Sequence, residues 1–177
     1  MNRIAQFEKV SFSQWKKDIL SGDFKDVFSR FPDAALKQVY DSIKLPKRAT
    51  TGSMGYDFFL PTPMVDIPVN SSVTIPTGIR CKIDEGWGLQ IYPRSGHGFK
   101  YGVHLANTVG IIDADYYGAN NEGHINVKLV NDSSIKKPIE LVQGDAFCQG
   151  VFVPYGITID DETEAKRTGG FGSTDKK

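Results

Sequence analysis

Between residues 13 and 44 the apolar positions fall at helical spacing: Trp15, Ile19 and Leu20, then Phe24, Val27, Phe28 and Phe31, then Leu36, Val39, Tyr40 and Ile43. Pro32 stands where a helix can begin, with Asp33 in its first turn, and Pro46 follows the last periodic residue. The pattern predicts two short helices. After Leu45 the period changes. Ile79, Cys81 and Ile83 alternate with polar residues, as do Ile125, Val127 and Leu129, and later Phe147, Val151 and Val153 with Gln149 on their face. Such alternation between Gly, Pro and Asn turns predicts an all-β sandwich or barrel. The stretch from Asp160 to Lys177 is charged, then Gly-rich, and reads as a mobile arm. The chain thus divides into a helical extension (1–44), a β domain (45–159) and a flexible C-terminal arm (160–177).

Composition narrows the function classes. At 40% hydrophobic the chain can build a core, and 177 residues suit one domain. Lys plus Arg and Asp plus Glu are both 21, so the formal charge is zero, and a general electrostatic grip on nucleic acid is not expected. No stretch reaches the length of a membrane span, and the first residues lack the apolar run of a signal peptide. Cys81 and Cys148 are too few for a disulfide framework or a zinc ribbon. The expectation is a reduced, cytoplasmic protein that touches neither membrane nor nucleic acid.

Four segments carry candidate chemistry. Pro93-Arg94-Ser95-Gly96-His97-Gly98-Phe99-Lys100 ends a β run at its Pro, and the Arg-Ser-Gly that follows reads as a turn whose backbone N–H groups, Ser hydroxyl and forked Arg cation suit an anion. Read alone, such a motif is more often a tight turn with a solvated Arg. Asn107 to Gly118 contains Asp113 at the end of an apolar run, where a carboxylate could orient and deprotonate a water beside phosphorus. In the same segment the Asn107 amide could read a base edge, and the Tyr116 ring could pack on a sugar. Each also has a plain reading as a turn or core residue. Gly52-Ser53-Met54-Gly55-Tyr56-Asp57 is the third segment. The fourth is Arg167-Thr168-Gly169-Gly170-Phe171-Gly172-Ser173-Thr174, where one Arg and one Phe in a Gly-rich tail make sense if the tail folds over a ligand.

In this order the GYD, PRSG, NxVGIIDxDY and GGFGST elements resemble the dUTPase family, and Gly144-Asp145-Ala146-Phe147-Cys148-Gln149 resembles its remaining motif. The resemblance runs from about Leu45 to Thr174. It implies a distorted jelly-roll subunit, a homotrimer with sites between subunits, and hydrolysis of dUTP to dUMP and pyrophosphate. It also implies Mg2+ held by the triphosphate and waters, with no direct protein ligand. Carried over residue by residue, Asp113 activates the water that attacks the α-phosphorus. Asn107 reads uracil, and the backbone of Ile111 and Ile112 lies along the nucleoside. Tyr116 packs on deoxyribose and excludes a 2′-hydroxyl. Arg94, Ser95 and Gly96 form the phosphate turn, with Gln149 nearby. Asp57 supports the site, its place in the metal's water shell left open. Arg167, Phe171 and Ser173 are the arm's phosphate, base and hydroxyl contacts.

The sequence departs from the family pattern in three places. Arg167 stands one residue closer to Gly-Gly-Phe than in the commonest form. Ala119-Asn120-Asn121-Glu122 is an insertion expected near the mouth of the site. The extension before Leu45 lies outside the usual core. Two other readings compete. A dCTP deaminase of the same fold would need a Glu in the strand after the third motif, and His124 to Val130 has none, the nearest being Glu122. A nucleotide-gated regulatory protein on this scaffold would use the extension and insertion as docking surfaces.

Overall fold

The computed structural model describes residues 2–132, 136–165 and 169. Its β part consists of four small antiparallel sheets. The largest orders β2 (Tyr56–Phe59), β11 (Ala146–Pro154), β6 (Trp87–Pro93) and β8 (Gly110–Ile112). A second orders β4 (Ser71–Pro76), β9 (Asn126–Asn131) and β7 (His104–Leu105). Two pairs complete it: β3 (Met64–Ile67) with β10 (Ile139–Val142), and β1 (Ala5–Lys9) with β5 (Ile79–Ile83). The inward faces of the two larger sheets bury Leu89, Ile91, Leu105, Ile112, Leu129 and Phe147 in one core. This is the jelly-roll-like, mostly β fold that the alternation predicts. In β11 the alternation is imperfect, because Cys148 and Gly150 are buried as well as Phe147. The strand is central, with β2 and β6 on either side, and a register shift between Ala146 and Cys148 turns its faces.

The extension differs from its expected form. Among the described residues it holds three helices rather than two, α1 (Phe12–Ile19), α2 (Lys25–Phe28) and α3 (Asp33–Asp41), preceded by the strand β1. Ser11 caps α1, its hydroxyl accepting from the Gln14 N–H at 3.1 Å. Trp15 and Ile19, one turn apart, point inward and are fully buried, and the Trp15 indole N–H donates to the Pro76 carbonyl at 3.3 Å. Phe24, Phe28, Leu36 and Ile43 are buried in the same core. Phe7 of β1 sits among the rings of Tyr56, Phe58 and Phe152, with centroids 5.4 to 5.7 Å away. The extension is therefore an integral layer of the domain.

Its seam to the β core is polar. The Ser11 N–H and hydroxyl both donate to the Glu122 carboxylate, at 2.7 and 2.6 Å. His124, fully buried, accepts the Gly78 N–H on Nε2 at 2.8 Å, which leaves the proton on Nδ1, 2.5 Å from Asp18. The Glu8 carboxylate accepts from Tyr117 and Arg80. The hydrogen bond from Tyr117 leads in holding Glu8 below the ordinary carboxylate range. For Asp18 and Glu122 burial pushes upward, but the bonds from His124 and from Ser11 outweigh it, so both are also lowered. Groups depressed on folding contribute stability that is present above the unfolded carboxylate range, about pH 4–4.5, and lost as pH falls through the folded values. Urea midpoints measured from pH 7 to 3 are thus expected to fall more steeply for the wild type than for a Glu8→Gln/Asp18→Asn/Glu122→Gln variant. Parallel curves would remove these carboxylates from the acid response.

Candidate functional site

Pairing across the large sheet brings three of the sequence motifs together. In β11, Gln149 stands opposite Asp57 of β2 on one side and Tyr92 of β6 on the other. The Gln149 amide donates to the Pro93 carbonyl at 3.2 Å. A Cβ at Gly55 would come within 2.7 Å of the Gln149 amide oxygen, so only glycine leaves this side chain its place. Arg94 lies 3.6 Å from the Asp57 carboxylate. Asp57, Arg94 and Gln149 are thus one polar cluster at one end of the sheet.

Beyond Arg94 the chain does not make a simple turn, as the sequence suggested, but a short helix, α4 (Ser95–Tyr101), with Arg94 at its N-cap. Ser95 and Gly96 are its first residues, exposed, and their N–H groups precede the first intrahelical donor, the His97 N–H, which bonds the Arg94 carbonyl at 3.0 Å. Beside them lies a cavity of about 240 Å³ lined by Arg94, Gly96, His97, Lys100, Tyr101 and Ala146. Burial lowers the His97 pKa, so near neutrality the ring offers a hydrogen bond and the charge comes from Arg94 and Lys100. Sequence reasoning missed His97 and Lys100. Their helical spacing of three from one another was the available signal, hidden by Gly96 and Gly98 on either side of His97.

The Asn107 segment builds a different place. Asn107, Gly110 and Ile112 line a larger cavity, about 460 Å³, together with Ile91, Leu105 and the β9 residues Asn126 and Lys128. This volume suits a small organic ligand, with an apolar wall and a few polar groups to orient it. Asn107 is displayed by a tight turn in which Thr108 has φ of 64°, a left-handed conformation that a β-branched residue rarely adopts. Ile111 is exposed and Ile112 buried, so the backbone of β8 runs along the rim. Asp113 follows as N-cap of a 3₁₀ turn, Ala114–Gly118.

One residue is placed otherwise than expected. Tyr116 was expected to offer its ring to a sugar, yet it is 1% exposed, and its hydroxyl donates to the His124 carbonyl at 2.8 Å and accepts from the Asn121 amide at 2.8 Å. The 3₁₀ turn directs this ring into the core, so in this protomer it presents no face to a ligand. The inserted residues 119–122 also differ from expectation. Ala119 is buried and Glu122 binds Ser11, so the insertion faces the N-terminal extension. Arg167, Phe171 and Ser173 lie outside the described residues.

Register separates the two halves of the chemistry. Ile112 faces Leu89 near the start of β6, whereas Arg94 follows its far end. At roughly 3.3 Å per residue, Asp113 and Arg94 are about 20 Å apart along the strand. That exceeds the length of a triphosphate, so one protomer does not bring both onto one substrate. Among the described residues no three His, Cys, Asp or Glu side chains gather to hold a metal. No helix among them is long and apolar enough to cross a membrane.

Comparisons with known proteins give the family. The dUTPase family model matches residues 41–175. A deoxyuridine 5'-triphosphate nucleotidohydrolase of Lactococcus lactis is 40% identical over 135 residues, 75% of this chain and 88% of that protein. One from Haemophilus ducreyi is 39% identical over 140 residues, with the same coverage. The crystal structure of a dUTPase from Streptococcus mutans superposes with a TM-score of 0.58 at 35% identity, over 67% of this chain and 90% of that one. The dUTPase of a Staphylococcus aureus phage, phi11, whose structure describes a coordinated Mg(II) ion, is 18% identical and shares the fold with a TM-score of 0.61 over 92% of this chain. With three quarters of its length matched by the family model and by relatives about 40% identical, the chain belongs to the dUTPase family.

Proposed function

We propose that this protein hydrolyses dUTP to dUMP and pyrophosphate by attack of water on the α-phosphorus. The carrying observation is the cavity that Asn107 overlooks and whose wall strand, β8, leads directly into Asp113. The Asn107 amide, donor and acceptor at once, reads the uracil edge, and the β8 backbone runs along the nucleoside. Asp113 orients the water and takes its proton. Arg94, Ser95 and Gly96 hold the phosphates, with Asp57 keeping Arg94 aimed and Gln149 bracing the turn through Pro93. Mg2+, when bound through phosphate oxygens and waters, neutralises charge on the leaving pyrophosphate. Asp57, the carboxylate of this cluster, would accept hydrogen bonds from waters on that ion. A deaminase is disfavoured, since β9 carries no Glu and Glu122 is engaged by Ser11. The decisive assay follows pyrophosphate and ammonia release from dUTP, dCTP and UTP. Pyrophosphate from dUTP alone supports the reading; ammonia from dCTP sinks it.

The separation of Asp113 from Arg94 supports a homotrimer in which each site takes Asp113 from one subunit and the phosphate cluster from another. Exposed Ile111 and Phe99 are apolar surfaces that such packing would cover. The arm's Arg167, Phe171 and Ser173 then close over a site built by other subunits. A chain truncated before Arg167 is expected to stay folded with very low activity. Co-refolded mixed trimers of truncated and Asp113→Asn chains should regain part of it. No recovery in verified mixed trimers would place the arm over its own subunit's Asp113.

Adding EDTA is expected to abolish turnover while leaving circular dichroism and oligomeric mass unchanged, because the metal comes with the substrate. Unfolding on chelation would contradict this. Buried, unpaired Cys81 and Cys148 suit the cytoplasmic setting we propose.

A further inference from the structure

We propose that the N-terminal extension is a positioning element of the active site, in which Glu8 and Asp18 hold, through Tyr117 and His124, the turn that carries Asp113. The inference rests on the reading of Asp113 as the catalytic base. Residues 8 and 18 precede the family-matched region, so no shared motif assigns them this part.

Asp113 sits in a place that needs support. It follows β8, three residues long and, among the described residues, an edge strand paired only with β6. Such an edge opens more readily than a central strand. Asp113 is tied to the 3₁₀ turn by backbone, its carbonyl accepting the Tyr116 N–H at 3.2 Å. A shift of the turn therefore shifts the carboxylate.

Two anchors hold that turn from behind, and both end in the extension. In the first, the Tyr117 hydroxyl donates to the Glu8 carboxylate of β1 at 2.8 Å. Arg80 donates to the same oxygen at 2.9 Å, and its guanidinium lies 4.4 Å from the centre of the Tyr117 ring. The ring is thus fixed at its tip and over its face. In the second, the Tyr116 hydroxyl donates to the His124 carbonyl, and the His124 imidazole is clamped between Asp18 of α1 and the Gly78 N–H. The loop between the two is pressed flat on the turn. Gly123 has φ of 69°, and a Cβ there would come within 2.8 Å of the Tyr116 carbonyl and the Tyr117 Cα. Glu122, taking two hydrogen bonds from Ser11, pins that loop to the cap of α1.

The test compares kcat and KM for dUTP in Glu8→Ala, Tyr117→Phe, Asp18→Ala and Glu8→Gln. Assays run at a temperature where circular dichroism shows each protein folded and Mg2+ is present. Misplacement of a catalytic group by 1 Å costs up to about 10²-fold in rate, and loss of one anchor of two is expected to lower kcat about tenfold. KM should stay within about twofold, because Asn107 stands before the other end of β8 and the phosphate cluster lies on β2, β11 and the end of β6. Glu8→Gln keeps an oxygen that accepts from Tyr117 and should restore kcat. Tyr117→Phe removes a single oxygen and remains informative if Glu8→Ala fails to fold. Unchanged kcat with a lowered melting temperature would make the extension merely structural and overturn the proposal. So would a rise in KM alone, or Glu8→Gln behaving as Glu8→Ala. Failure of the underlying reading shows elsewhere, as normal turnover in Asp113→Asn.

Discussion

Asp113→Asn is expected to bind a non-hydrolysable dUTP analogue as the wild type does and to lose about 10²–10⁴-fold in kcat, the usual contribution of a positioned general base. The amide has nearly the shape of the carboxylate. The turn it caps is closed by the backbone bond from Tyr116, which the substitution leaves alone. Asparagine can still accept a hydrogen bond from the water, but it cannot take the proton, so the loss falls on the chemical step. Calorimetric titration with the imido analogue and steady-state kinetics with dUTP separate the two effects. Near-normal turnover would remove Asp113 from the mechanism. Weak binding with normal kcat would make it a substrate ligand instead.

Trp15→Ala is expected to cost about 3–5 kcal/mol, the range for emptying a buried Trp site. The side chain is fully buried and stands 6.0 Å from the Tyr40 ring centre, centroid to centroid. Its loss also strips the Pro76 carbonyl of its indole donor. Against a typical total of about 5–15 kcal/mol this is a large fraction. Urea unfolding at fixed protein concentration reads it, since association of subunits adds concentration-dependent stability. A cost below about 1 kcal/mol would mean that the extension is a separable appendage and not part of the core.

Local periodicity made much of the fold legible. Trp15 and Ile19 lie one helical turn apart and share a buried face, as their spacing implies. Ile79, Cys81 and Ile83 alternate into the core along β5 as read. Arg94 was legible as a cation in a turn, while Asp57 and Gln149 were singled out only through the resemblance to dUTPase motifs; the structure sets the three side by side. Long-range contacts were not legible. Strand β1, Ala-Gln-Phe-Glu-Lys, has one large apolar residue, and only pairing with β5, some seventy positions on, makes it a strand. Which of the adjacent Tyr116 and Tyr117 turns inward depends on the carbonyl of His124 and the carboxylate of Glu8, neither visible in the local pattern. The insertion suggested a loop at the site mouth because its distance from Ser11 in sequence, 111 positions, hides their contact. Strand register, not motif order, separates Asp113 from Arg94 within one protomer.

Hydrolysis of dUTP in oxygen-18 water, with mass analysis of both products, tests the central claim most directly. Attack on the α-phosphorus puts one labelled oxygen into dUMP and none into pyrophosphate. Label in pyrophosphate, or the release of inorganic phosphate in place of pyrophosphate, would contradict the account.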